Sequence, residues 1–192
     1  NGAPDWVYEE EFGFAQGFFW SPDSKKIAYY KFDESKVREF EMEEFGGLYP
    51  DWYSFKYPKA GEDNSIVSVM VYNVESGKTI MMNTGEETDI YLPRMKWTND
   101  ANILAIQRLN RHQNHLEILA ANAETGETTV FYDEENPYYI DITDDWEFLK
   151  DGKRFIMTSE KSGYNHIYIC SLNGQECKPL TSGEWDVTKI YG

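Results

Sequence analysis

The sequence predicts an all-β fold, a partial β-propeller of about three four-stranded antiparallel blades, with one short helical excursion near the N-terminus. Two repeated patterns carry this prediction. An aromatic residue, a tight polar turn and an apolar strand recur at 19–29, 96–105 and 147–156. A hairpin turn with a glycine follows each copy, and these glycines are Gly77, Gly126 and Gly174. They lie 49 (77 to 126) and 48 (126 to 174) residues apart, close to the repeat length of propeller blades.

The repeat spacing divides one propeller domain, 1–192, into blades. We predict the following segments: an acidic segment at 1–17, a blade at 18–92 with an insertion at 31–65, a blade at 93–140 and a blade at 141–192. Three blades cannot close a ring, so the two outer sheet faces are expected to be apolar and to meet further blades in a longer protein, here called the parent. Alone, the chain is expected to self-associate through these faces.

The segment before the first blade departs from the strand pattern and predicts a short helix. Pro4 lies near its start, Asp5 is a suitable N-cap, acidic residues follow in the first turns, and Gly13 marks the end. Because excursions from a regular scaffold often carry binding residues, this helix is a candidate site.

Composition excludes several classes of partner. Aromatic residues make up 16% and hydrophobic residues 41% of the chain, enough for packed layers. Lys and Arg total 18 against 34 Asp and Glu, a formal charge of −16. This charge repels nucleic acid and anionic lipid, and suits a cationic group on a ligand. No apolar run approaches the ~20 residues of a membrane-spanning helix.

Cys170 and Cys177 flank the dipeptide Asn173-Gly174, the strongest two-residue hairpin signal. In such a hairpin the two cysteines are directly opposed, at an expected Cα separation of about 5.5 Å, which is inside the range of a disulfide. A disulfide is therefore predicted; the alternative is two reduced thiols on an edge hairpin. A disulfide indicates a periplasmic, cell-surface or secreted location, with the export signal outside this chain.

Glu10 and Glu11, with Glu9 beside them, are the candidate binding residues. Adjacent carboxylates repel one another unless a cation lies between them. A primary ammonium offers three donors and can satisfy two carboxylates at once. The alternative is an ordinary solvated acidic surface.

The surrounding motifs resemble one known family. They are Asp5-Trp6-Val7-Tyr8-Glu9-Glu10-Glu11, Phe18-Phe19-Trp20-Ser21-Pro22-Asp23, Tyr57-Pro58-Lys59-Ala60-Gly61 with Asn64, Gly163-Tyr164 with His166-Ile167, and the cysteine pair followed by Thr181-Ser182-Gly183-Glu184-Trp185. In this order they resemble the propeller domain of the dipeptidyl peptidase IV family, which are serine exopeptidases of the prolyl oligopeptidase clan.

The resemblance implies an eight-bladed propeller that caps an α/β-hydrolase domain in the parent. It implies that Glu10 and Glu11 bind the N-terminal ammonium of a peptide substrate, from which the parent releases X-Pro or X-Ala dipeptides. Glu9 is expected to be structural support, and Trp6 and Tyr8 to pack the helix onto the propeller. The expected partners are peptides with a free N-terminus, the missing blades and hydrolase domain, and a second copy in a homodimer.

No catalytic residue is assigned to this chain, which is expected to be inactive alone. It contains no Gly-x-Ser-x-Gly elbow, and no cofactor or metal is expected.

His112, His115 and His166 are assigned structural or surface roles, because His112 and His115 lack further ligands at suitable spacing. The segment 136–144 lacks an arginine that the family uses in its substrate pocket, and Tyr138 or Tyr139 could line that pocket instead. The alternative function is a non-catalytic β-propeller that binds peptides or partner proteins.

Overall fold

The computed structural model describes residues 1–191, which form one helix, α1 (Trp6–Glu11), and a series of antiparallel sheets. The strands are β1 (Phe18–Trp20), β2 (Lys26–Asp33), β3 (Glu39–Glu44), β4 (Asp51–Lys56), β5 (Ile66–Asn73), β6 (Thr79–Met81), β7 (Ile90–Tyr91), β8 (Met95–Trp97), β9 (Ile103–Asn110), β10 (His115–Asn122), β11 (Thr128–Glu135), β12 (Trp146–Phe148), β13 (Arg154–Ser159), β14 (His166–Ser171) and β15 (Cys177–Pro179). The all-β prediction is confirmed. Within the described residues, no helix is long and apolar enough to cross a bilayer.

The first sheet has the order β1-β2-β5-β6. Between β2 and β5 the chain leaves the sheet and forms a separate two-stranded hairpin, β3-β4, inside the range 31–65 that the sequence marks as an insertion. We call 39–56 the arm. The apolar residues at its tip are solvent-exposed, with Phe45 78%, Leu48 92% and Tyr49 80% accessible.

The second sheet has β8 and β7 along one edge of β9, followed by β10 and β11. Tyr91 pairs with Leu109 of β9, although the sequence division placed residues up to 92 in the first blade. Pro93 interrupts this edge because proline has no amide hydrogen for the ladder. Pairing resumes when Gln107 donates its amide to the Arg94 carbonyl at 2.9 Å. The third sheet has the order β12-β13-β14-β15.

Two apolar cores join the three sheets, with the second sheet between them. Val69, Leu104 and Ile106 are fully buried in the core shared by α1 and the first two sheets. Ile118 and Phe155 are fully buried in the core between the second and third sheets. β5 alternates buried and half-buried residues, as expected for a strand whose sheet is covered on one face.

The first two sheets also meet backbone to backbone at their outer edge. The Asn83 amide donates to the Gly126 carbonyl at 2.8 Å, and the Thr128 hydroxyl donates to the Asn83 carbonyl at 2.7 Å. Gly126 has φ +80°, and a Cβ at this position would lie 2.3 Å from the Met81 carbonyl oxygen. Glycine is therefore required here both for its backbone conformation and for the close approach.

The cysteine hairpin has the predicted pairing but a longer turn. Cys170 opposes Cys177 and the two form a disulfide. Of the two residues predicted to form the turn, only Gly174 has a positive φ (+73°). Ser171 donates its amide to the Glu176 carbonyl at 2.8 Å, which leaves a four-residue loop at 172–175. The cysteines next to that hydrogen-bonded pair occupy a non-hydrogen-bonded position, so their Cα atoms are 4.0 Å apart rather than the expected 5.5 Å.

Reduction of this disulfide is expected to destabilise the third sheet. The bond closes a loop with a sequence separation of 7, and a loop of that size is worth about 2 kcal/mol of unfolding free energy. The measurement is the urea midpoint with and without a phosphine reductant. A Cys170→Ser/Cys177→Ser variant serves as the control. Its urea midpoint should equal that of the reduced chain and should not change when the reductant is added. Equal midpoints for oxidised and reduced chain would contradict the prediction.

Candidate functional site

Helix α1 forms where the sequence predicts it, and its cap is the predicted one. The Tyr8 amide donates to Oδ1 of Asp5 at 3.0 Å, and the Glu9 amide donates to the Asp5 carbonyl. The helix ends at Glu11, Phe12 is its C-cap residue, and Gly13 follows with φ +67°. An acidic cap at this end also complements the helix dipole.

One face of α1 is fixed in the first core. Tyr8 is 2% exposed, and its ring contacts those of Phe12 and Phe32 with centroids 5.2 and 5.0 Å away. Its hydroxyl oxygen accepts the Leu92 amide hydrogen at 2.8 Å. Burial raises the pKa of Tyr8 well above its ordinary value, so this side chain stays neutral. The predicted packing role of Tyr8 thus agrees with its position, and it ties the helix to the second sheet.

The opposite face of α1 presents the glutamates to solvent. Glu9, Glu10 and Glu11 are all exposed. Within residues 1–191 none of the three makes an ion pair or a side-chain hydrogen bond. The helix backbone that carries these three side chains is fixed by its buried face, while their carboxylates remain available to an external cation.

The segment between β11 and β12 lies close to these carboxylates. The pKa of Tyr139 is raised by partial burial and by the negative charges of Asp141 and Glu11, which places Tyr139 within electrostatic range of the helix. Its hydroxyl lies 3.4 Å from Oε1 of Gln113. Tyr138 is 88% exposed. Of the two tyrosines named from sequence, Tyr139 is thus the one whose pKa responds to the charge of Glu11.

An arginine that the sequence did not point to reaches this segment from the link between β7 and β8. Arg94, between β7 and β8, forms an ion pair with Asp144 at 2.5 Å.

The adjacent cavity between the second and third sheets has Tyr139 and Asp141 in its lining, but its volume is only about 40 Å³. A dipeptide cannot enter it, since ligand pockets are typically several hundred Å³.

Two of the three histidines have informative surroundings. His166 is buried among hydrogen-bond partners, and His115 has carboxylate neighbours that could not be found from the spacing of residues in the sequence. His166 is 2% exposed, and its ring nitrogens lie within hydrogen-bond distance of Thr181 and Gly183. His115 and Glu117 lie on β10, Asp133 of β11 is directly opposite Glu117, and the ligand-type atoms of the three residues are all within 4.8 Å of one another.

This group has a metal-like composition, yet it already contains a cation. Arg108 lies 2.5 Å from Oε2 of Glu117, and His115 Nε2 lies 2.9 Å from Oδ2 of Asp133. The four side chains thus form a cross-strand chain of alternating charge when His115 is protonated. We assign the group to sheet pairing rather than to metal binding, because the guanidinium takes up the glutamate that a metal would need.

The His115 contact predicts a pH-dependent contribution to stability. Its hydrogen bond to Asp133 raises the pKa of His115 from 6.5. Since the folded-state pKa lies above the unfolded one, the stabilisation is fully present below about pH 6.5 and is lost as pH rises through the folded-state pKa.

An Asp133→Asn substitution should therefore lower the urea midpoint more at about pH 5.5 than at about pH 8.5. In a His115→Gln background the same substitution should show no such difference between the two pH values. A cost that is the same at both pH values in the unmodified background would contradict the prediction.

Comparison with known proteins gives the family. The sequence model of the family described as "Dipeptidyl peptidase IV (DPP IV) N-terminal region" matches residues 1–192. The chain belongs to this family. Among curated dipeptidyl peptidase IV relatives, the probable dipeptidyl peptidase 4 of Aspergillus flavus is 29% identical over 214 residues, covering 99% of this chain and 27% of that protein. The dipeptidyl aminopeptidase B of Saccharomyces cerevisiae is 28% identical over 204 residues, covering 97% of this chain and 25% of that protein.

Solved structures of dipeptidyl peptidases have the same fold. The crystal structure of Porphyromonas gingivalis dipeptidyl peptidase 4 aligns with a TM-score of 0.92 at 40% identity, covering 100% of this chain and 28% of that one. A putative dipeptidyl aminopeptidase IV from Bacteroides ovatus aligns with a TM-score of 0.88 at 32% identity, covering 98% of this chain and 29% of that one. The partial-propeller prediction is confirmed. The dipeptidyl peptidase IV-family chain spans about a quarter of the length of the curated relatives it matches.

Proposed function

We propose that this chain is the substrate-binding part of a longer serine-type dipeptidyl peptidase, which releases X-Pro or X-Ala dipeptides from the N-termini of peptides. In this proposal Glu10 and Glu11 bind the substrate's N-terminal ammonium. One observation carries it: two adjacent, exposed carboxylates without a partner in the described residues stand on a helix whose other face is buried. An ammonium group can donate to both.

Cleavage of the peptide bond is carried out by a part of the parent that lies outside this chain. No Gly-x-Ser-x-Gly elbow occurs in the 192 residues, so the chain binds and orients the peptide while a hydrolase domain supplies the nucleophile. A carboxylate pair at a fixed distance from that nucleophile selects free N-termini and sets the length of the released product. No cofactor is required for this reaction class.

The experiment is hydrolysis of Gly-Pro-p-nitroanilide by the parent, beside the same assay on this chain. Cleavage by the parent and none by the chain alone is the expected result. A folded parent that leaves the substrate intact would favour the alternative, a non-catalytic propeller that binds peptides through the same acidic surface. An N-acetylated substrate is the control, since it lacks the ammonium and should not be cleaved.

We also propose an extracytoplasmic location for the parent, which is periplasmic, at the cell surface or secreted. The Cys170–Cys177 disulfide supports it, because such bonds persist in oxidising compartments.

A homodimeric parent is proposed from the arm. Phe45, Leu48, Tyr49 and Trp52 are at least 64% exposed on one projecting hairpin, and exposed apolar groups of this kind mark interaction surfaces. Light scattering of the parent should give twice the monomer mass, and a Leu48→Asp/Tyr49→Asp variant should give the monomer mass. A wild-type parent of monomer mass would exclude the dimer.

A further inference from the structure

The acidic helix cannot hold its own position. It has six residues, and a helix of that length is not stable in water without outside contacts. The glutamates are exposed and without a partner in the part of the chain that the structure describes. The direction in which their carboxylates point is therefore set by the residues that anchor the helix.

The N-terminal anchor is Asp5, whose two carboxylate oxygens have different partners. Oδ1 accepts the Tyr8 amide hydrogen and so caps the helix. Oδ2 accepts the hydroxyl hydrogen of Ser65 at 2.5 Å. Asp5 is 9% and Ser65 is 3% exposed, so this hydrogen bond is shielded from water, and a buried carboxylate that lost it would be poorly satisfied.

Ser65 comes from the insertion. It ends the segment 57–65, which leads from the arm back to β5 and which we call the return segment. Two further contacts join this segment to the site. The Tyr57 ring lies 4.2 Å from the Trp6 ring of α1. The Asn64 side-chain amide donates to the Tyr91 hydroxyl at 3.0 Å, and the Tyr91 ring in turn packs on Phe12 at the end of the helix, with centroids 5.2 Å apart.

The return segment is itself fixed to the second sheet. Arg111, next to the end of β9, donates to the Glu62 carbonyl at 3.2 Å and forms an ion pair with Asp89 at 3.1 Å. The segment therefore bridges the helix on one side and the β9 region on the other. A movement of the segment would be transmitted to both ends of α1, because it contacts Asp5 and Trp6 directly and Phe12 through Tyr91.

We infer that Ser65 is a positioning residue for the peptide ammonium: through Asp5 it fixes the orientation of α1, and with it the direction of Glu10 and Glu11. The insertion is then part of the substrate-binding apparatus and not only a projecting hairpin. This inference rests on the proposed function, since it concerns how the same carboxylates are aimed.

The test is steady-state kinetics of the parent with Gly-Pro-p-nitroanilide. Ser65→Ala removes the hydroxyl and should raise KM about tenfold, near the lower end of what one hydrogen bond to a carboxylate is worth, with kcat within about twofold. Ser65→Thr keeps a hydroxyl and should restore KM. Tyr57→Leu removes the ring contact with Trp6, leaves the Asp5–Ser65 bond in place, and should raise KM about threefold.

Two controls separate positioning from general damage. Ser54→Ala makes the same substitution on the exposed arm and should leave KM unchanged. An amine-free fluorophosphonate should label the parent's catalytic serine at the same rate in every variant, because this reagent does not use the carboxylates.

The outcomes distinguish the inference from the proposed function. Wild-type KM in both Ser65→Ala and Tyr57→Leu, together with lost activity in Glu10→Ala, would overturn the inference and leave the proposed function standing. Full activity in Glu10→Ala/Glu11→Ala would remove the proposed function itself. Slower labelling in Ser65→Ala would show a general structural effect and would also overturn the positioning role.

Discussion

Replacing Glu10 or Glu11 with glutamine should lower kcat/KM of the parent for Gly-Pro-p-nitroanilide by about 30-fold each, and replacing both should lower it by about 1000-fold. A charge-assisted hydrogen bond is worth about 1.5–3 kcal/mol, and glutamine keeps the shape of glutamate without its charge. The loss should be larger in kcat/KM than in folding stability, since both side chains are exposed and without a partner among residues 1–191.

The matched control is Glu9→Gln, which removes one charge from the same exposed helix face. Its kcat/KM should stay within about twofold of the wild-type value. Dissolved salt screens an exposed charge, so the Glu9 carboxylate should have little electrostatic effect on a substrate that it does not contact. Thermal unfolding of all four proteins checks that the helix is intact. If Glu9→Gln costs as much as Glu10→Gln, the effect comes from net charge, and the assignment of two specific carboxylates is wrong.

Phe155→Ala should destabilise the chain by about 3–5 kcal/mol, the usual cost of removing a fully buried phenylalanine. Phe155 is 0% exposed and lies in the core between the second and third sheets. Its ring contacts Phe131 at 5.2 Å edge to face, and Phe148 at 6.0 Å. The substitution therefore removes apolar contacts from both sheets at once and leaves a cavity at their junction.

The measurement is the urea midpoint of the chain, with Phe45→Ala as the matched control. Phe45 is 78% exposed at the tip of the arm, so truncating it should change the unfolding free energy by less than about 0.5 kcal/mol. Similar costs for the two substitutions would mean that the second and third sheets do not share a core.

The fold was predictable where local signals repeat. The turn glycines Gly77, Gly126 and Gly174 mark the hairpins, since each has the positive φ that glycine adopts without strain. Asp5 and Gly13 mark the two ends of the helix for equally local reasons, since one caps the first turn and the other adopts a positive φ after the last. The cysteine pairing followed from counting along one hairpin, while the spacing of the two Cα atoms did not, because it depends on which residues form the hydrogen-bonded pairs.

The contacts that complete the site were not predictable from local patterns. Ser65 and Asp5 are 60 residues apart, and Arg94 and Asp144 are 50 apart. No periodicity relates such positions, because their meeting depends on how sheets stack and on where an insertion returns. The glutamates could be named from a sequence motif. The hydrogen bond between Asp5 and Ser65, which anchors their helix, could be identified only from the structure.

The Gly126 contact at the outer edge of the first two sheets bears on how this family can diverge. There the gap between neighbouring sheets is set by main-chain atoms, with the Gly126 carbonyl bonded to the Asn83 amide. Side chains deeper in the wedge can be exchanged for others of similar volume without changing that gap. Blade geometry can thus be inherited while most of the residues that fill the space between the sheets change, and the position of α1 relative to the second sheet is inherited with it.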